Sequence, residues 1–89
     1  MSYYYPIDET WSKEEVVDVV QFLSLIEQAN ESKTNREEFL SKYKRFKQII
    51  PSKSEEKKLL AQFEKQSGYV GYRVIKMASQ SDQKFISMK

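Results

Sequence analysis

Four residues near the end of the chain stand at a spacing that could build a binding surface. Tyr69, Tyr72, Arg73 and Lys76 fall at i, i+3, i+4 and i+7. On a helix they share one face, which sets two flat rings beside two cations. Such a face suits an acidic peptide, a phosphate or a base. The plainer reading is two tyrosines lying across the edge of a bundle with their hydroxyls in water. A second group is "KYKRFK", residues 42–47, where Lys42, Lys44, Arg45 and Lys47 interleave with Tyr43 and Phe46. Bases alternating with aromatics are a pattern of nucleic-acid surfaces. Helical geometry weakens that reading. Tyr43 and Phe46 share a face with Phe39 and Ile50, so the rings are better used as core, and the bases spread over the remaining faces as a solvated, charge-pairing surface.

Catalytic constellations are harder to find. The chain has no histidine and no cysteine. That removes the usual general base, the commonest metal ligand and every thiolate or Ser–His arrangement. A metal site would have to be all oxygen. Glu14 or Glu15 can meet Asp18 on one helix face, but a cation needs more convergent ligands, and acids in a first turn are already favoured by the helix dipole. Glu27 falls between Val16 and Val20 by helical angle. Near the helix end it can reach solvent or pair with a base of the second helix; buried, it would hint at function. The only two glycines lie in "SGYVGYRVIK", residues 67–76. A phosphate-binding loop would need an upstream strand and several convergent amides, which this stretch lacks. No catalytic residue, metal or cofactor is expected.

These residues need elements to position them. Ser12 with Glu15 makes a capping box, and Trp11 and Val16 are spaced for a hydrophobic staple. Val16, Val19, Val20, Leu23 and Ile26 then repeat at helical period, widened by Phe22 and Ala29. The polar connector "NESKTN", residues 30–35, offers Thr34 or Asn35 as the next cap. Phe39, Tyr43, Phe46 and Ile50 form the second stripe, and Pro51 ends that helix. Ser52 with Glu55 opens a third helix carrying Leu59, Leu60 and Phe63 inward. Gly68 stands where a left-handed helix terminus is expected. A short fourth helix follows with Val70, Val74, Met77 and Ala78 as its inward stripe. Gly71 and Ala78, two turns apart, would let a neighbouring backbone approach closely.

The prediction is therefore all-α: a compact four-helix bundle with helices near 12–30, 35–50, 53–67 and 69–79. An extended N-terminal arm, "SYYYPI" at residues 2–7, precedes it, because Pro6 keeps Tyr5 out of helical geometry. Residues 1–80 form the single helical domain. Residues 81–89 form a flexible tail with three scattered apolar side chains. No apolar run approaches the roughly 20 residues of a membrane span. No secretory signal is read in the first residues, and the cysteine-free composition fits the cytoplasm.

Charge is unevenly spread. Residues 1–31 carry seven acids and one lysine, whereas residues 32–89 carry fourteen bases and six acids. The two parts attract, and helix pairing or an acidic partner would use that attraction.

"YYYPID" with "TW" at residues 3–11, "KYKRFKQIIPSKSEEK" at 42–57 and "FEKQSGYVGYRVIK" at 63–76 resemble the YktA-type family of small Gram-positive bacterial proteins. The resemblance spans residues 3–79. It implies a cytoplasmic, all-helical domain of uncharacterised function, with no catalytic residue to carry over. Where this chain has Val70 and Gly71, the family often has serines. The leading expectation is a non-enzymatic protein-interaction module, monomeric or weakly dimeric, that binds an unknown protein through Tyr69, Tyr72, Arg73 and Lys76. The alternative is weak nucleic-acid binding through Lys42, Lys44, Arg45 and Lys47.

Overall fold

Each of the first three helices begins at a side-chain cap that the sequence advertises. The computed structural model describes residues 7–88. Helix α1 (Lys13–Glu31) opens on Ser12. The Glu15 amide donates to Ser12 Oγ at 3.2 Å, and the Ser12 amide donates to Glu15 Oε1 at 2.8 Å, closing the capping box. Helix α2 (Arg36–Ile49) is capped by Asn35, whose Oδ1 accepts from the Glu38 amide at 2.9 Å. It stops before Pro51, with Ile50 already out of helical geometry. Helix α3 (Lys53–Ser67) opens on Ser52 and closes on Gly68, which takes a left-handed φ of 82°. Helix α4 (Gly71–Gln80) has no side-chain cap.

The core forms where the inward stripes meet. Val19, Phe22, Leu23, Ile26 and Ala29 of α1 are buried against Phe39 and Phe46 of α2. The Phe22 ring lies 4.7 Å from Phe46, 5.3 Å from Phe39 and 5.6 Å from Tyr43, centroid to centroid. Leu59, Leu60 and Phe63 close the core from α3, and Val74, Ile75 and Ala78 from α4. The all-α fold, with four helices among the described residues, is as expected.

Three details differ from the expectation. First, α4 begins at Gly71, not at residue 69, because the chain turns at Gly68 and is still extended at Val70. Its inward stripe is Gly71, Val74, Ile75 and Ala78, leaving Met77 39% exposed. Gly71 faces side chains and not a backbone: a Cβ there would meet Leu60 Cδ2 at 3.0 Å and Ile26 Cδ1 at 3.2 Å.

Second, the segment expected to form a flexible tail is docked. Phe85–Ile86 (strand β2) pairs antiparallel with Thr34–Asn35 (strand β1), Thr34 facing Ile86. Ile86 is only 3% exposed. The Arg36 amide donates to the Lys84 carbonyl at 2.9 Å, the Met88 amide to Ala29 O at 2.8 Å and Ser87 Oγ to Ser32 O at 2.6 Å. The apolar residues of this segment alternate as a strand does, Ile86 inward and Phe85 outward. Burying Ile86 contributes about 1.5–3 kcal/mol toward the entropy of ordering the segment, and the backbone pairing to β1 adds to it. Third, strand geometry therefore appears in the connector between α1 and α2, confined to two residues. Of the N-terminal arm expected over residues 2–7, residues 2–6 lie outside the described residues.

Candidate functional site

The tyrosines of the expected binding face are turned to structural use. Tyr69 precedes α4, and its hydroxyl donates to Glu31 Oε2 at 2.7 Å. Tyr72 lies on α4 and donates to Glu56 Oε2 at 2.6 Å. Both rings are half-buried against the core. Glu56 is 1% exposed, an acid carried inward on the third helix among its leucines. Lys53 Nζ approaches the same oxygen at 3.4 Å and sits 5.6 Å from the Tyr72 ring. Burial, then the hydrogen bond to Glu56 and its charge, push the Tyr72 hydroxyl above the ordinary phenol range. Burial, and then Glu56, raise Tyr43 as well. Tyr72 is thus held as a protonated donor to a carboxylate, and the Tyr69 hydroxyl is likewise engaged with Glu31. They are poorly suited to accept a proton from a substrate or to stack flat on a ligand. Glu56 was missed in the sequence because Glu55 and Glu56 read together as first-turn acids, and only one of them faces water.

Arg73 and Lys76 remain exposed on the outer face of α4. With them the structure brings together residues that the sequence reading left out. A shallow groove of about 450 Å³ is lined by Arg73, Lys76, Met77, Gln80, Ser81 and Met88. Met88 reaches it because β2 docks beside α4 and leads the chain back. Gly71 faces inward with Val74, Ile75 and Ala78, and that register turns residue 77 outward.

The basic residues of α2 are mostly engaged. Arg45 Nε donates to Asp18 Oδ2 at 2.8 Å, and Lys42 Nζ donates to Gln21 Oε1 at 2.7 Å. Lys47 Nζ lies 5.3 Å from the Tyr43 ring, and Lys44 is exposed. Arg45–Asp18 thus joins the acidic first helix to the basic second helix, and Lys42 adds a hydrogen bond to neutral Gln21 between them. Of the paired acids, Glu15 serves the capping box and Asp18 serves Arg45. Among the described residues no three acidic side chains converge as a cation site would require. Glu27 is largely buried, at 9% exposure.

Two other surfaces stand out. Phe85 is 45% exposed, with Lys33 Nζ 4.7 Å and Lys84 Nζ 5.8 Å from its ring. A cleft of about 630 Å³ opens between residues 7–11 and α3. Its rim mixes Asp8, Glu9 and Glu55 with Lys58, so it presents no single charge to a ligand. No helix among the described residues is long and apolar enough to cross a membrane.

Comparison with known proteins extends the resemblance over the whole chain. The family described as "Uncharacterised protein family (UPF0223)" matches residues 2–87. A UPF0223 protein of Oceanobacillus iheyensis is 59% identical over 88 residues, covering 99% of this chain and all of that protein. The UPF0223 protein YktA of Bacillus subtilis is 50% identical over 88 residues, with the same coverage. A UPF0223 protein of Staphylococcus haemolyticus is 48% identical over 75 residues, 84% of this chain and 83% of its own length.

Proposed function

The chain belongs to the uncharacterised protein family UPF0223, and from that premise we propose that it is a non-enzymatic protein-interaction module of the cytoplasm. Its partner meets the outer face of α4. One observation carries this reading: Arg73, Lys76 and Met77 are exposed and line one groove together with half-buried Met88. Exposed thioethers are adaptable apolar contacts, and flanking cations supply register. The absence of histidine and cysteine, and the use of Tyr69 and Tyr72 as donors to glutamates, support a surface that binds without chemistry.

The test is capture from a lysate of the native cell with wild-type protein and with the Arg73→Glu, Lys76→Glu double variant. Both side chains are exposed, so thermal melts of the two proteins should coincide. Quantitative mass spectrometry should show at least one protein retained by wild type and lost by the variant. Identical capture profiles would overturn the assignment of this face. The basic residues of α2 serve as a control, because Lys44→Ala leaves the groove intact and should leave capture unchanged.

A further inference from the structure

We propose that the occupant of the α4 groove is a short acidic amphipathic helix presented by another protein; this deepens the reading above and rests on it. The lining decides the chemistry. Of the lining residues, Arg73 and Lys76 supply cations, Met77 and Met88 supply apolar side chains, and Gln80 and Ser81 are neutral. Among the described residues no carboxylate lines the groove. An acidic ligand is therefore favoured over a basic one at every position where charge is present. Gln80 and Ser81 lie at the C-terminal end of α4, where no basic residue stands in the last turn, so the acids of the ligand belong at the Arg73–Lys76 end.

Shape argues for a helix. The groove runs along α4 from residue 73 to residue 81, about 12 Å at 1.5 Å per residue, or roughly two turns of a partner helix. Its rim residues recur at the spacing by which helices pack ridge into groove. A partner with carboxylates three or four residues apart would place them opposite Arg73 and Lys76, while its apolar residues settle on the thioethers. Arginine can take a carboxylate bidentately, which fixes the partner's register. An anionic membrane would meet the same cations. However, the outward face of α4 exposes Met77 between polar Arg73, Lys76, Ser79 and Gln80, too little apolar surface to sink into a bilayer boundary.

The experiment uses the full chain and a fluorescein-labelled synthetic helix of about three turns, with leucines on one face and glutamates flanking them. Fluorescence anisotropy at low salt should show saturable binding that weakens as salt is raised. Arg73→Glu with Lys76→Glu should raise the dissociation constant about tenfold or more. Met77→Gln, which keeps the length and removes the apolar contact, should raise it several-fold. Lys76→Gln is a milder exposed change that gives the same direction if the double variant is poorly behaved. A scrambled peptide of identical charge should bind at least several-fold more weakly, and so should the peptide with lysine in place of glutamate. Four results would each overturn the proposal: no saturable binding, equal binding of the scrambled peptide, equal binding of the lysine peptide, or binding of anionic phospholipid vesicles in place of the acidic helix. The proposal can also fail separately from the reading beneath it. If the capture profile depends on Arg73 and Lys76 but the acidic helix does not bind, the partner class falls and the interaction face stands. If neither responds, both fall.

Discussion

Glu56 takes an acid out of water inside a chain of 89 residues, and the consequence is legible at its neighbours. A buried carboxylate is tolerated only when its oxygens are satisfied, and Tyr72 supplies a short donor at 2.6 Å. Replacing Tyr72 by phenylalanine removes that donor and leaves the acid short of a partner, so it should cost about 1–3 kcal/mol in urea denaturation. Glu56→Ala should cost more than Glu56→Gln, because alanine also opens a cavity. The pH dependence has a definite sign. The folded state holds Tyr72 protonated above its ordinary value of 10.0, so at higher pH the unfolded chain has lost a proton that the folded chain keeps. Stability from this group is complete below about pH 10 and is lost as pH rises beyond it. Tyr43 acts in the same direction. In alkaline denaturation, Tyr72→Phe should flatten the fall in stability above pH 10; an unchanged slope would mean that the hydroxyl is not coupled to Glu56.

At the scale of the helices, the two glycines make a pair with opposite physics. Gly68 is needed for its backbone: φ is 82° and nothing lies within 4 Å of a Cβ added there. Gly68→Ala should cost about 1–2 kcal/mol through left-handed strain alone. Gly71 is needed for its size, with Leu60 and Ile26 side chains within 3.2 Å of the same position. Gly71→Ala gains helix propensity but crowds two buried side chains, and we expect a net loss of about 1 kcal/mol. Trimming Leu60 to valine should make the Gly71→Ala change cheaper and leave the Gly68→Ala cost untouched, a coupling readable in a double-mutant cycle. The helix starts at Ser12, Asn35 and Ser52 and the stop at Pro51 were readable because they are local signals of one or two residues. The phase of α4 was not, because glycine carries no hydropathy and the turn after Gly68 consumes two residues. That phase turns Met77 outward where its spacing suggested an inward residue, while Tyr69 precedes the helix altogether.

Across the whole molecule, the acidic first helix and the basic remainder are joined by Arg45–Asp18, and the last segment closes the assembly. Composition made residues 81–89 look dispensable, since Ser, Gln, Asp and Lys dominate them. What composition hides is a two-residue strand whose partner lies fifty positions upstream, and non-local pairing leaves no signature in a short window. Ile86 then fills core space beside α1 and α4, and the Arg36 and Met88 amides find their acceptors across the same seam. A dangling tail predicts that Ile86→Ala changes stability by no more than about 0.5 kcal/mol, as exposed substitutions do. The docked segment predicts a loss of about 2–5 kcal/mol, as for other buried isoleucines, with the melting temperature falling by roughly 4–8 °C for each kcal/mol in a domain of this size. Hydrogen exchange separates this from a general weakening. The Arg36 amide donates to the Lys84 carbonyl, so Ile86→Ala should accelerate its exchange more than that of amides within α3, which are bonded inside their own helix. The same substitution should weaken binding of the acidic helix, because Met88 reaches the groove only while Ile86 holds the segment in place. Unchanged exchange at Arg36 in a variant of normal stability would return the segment to the status of a loose end.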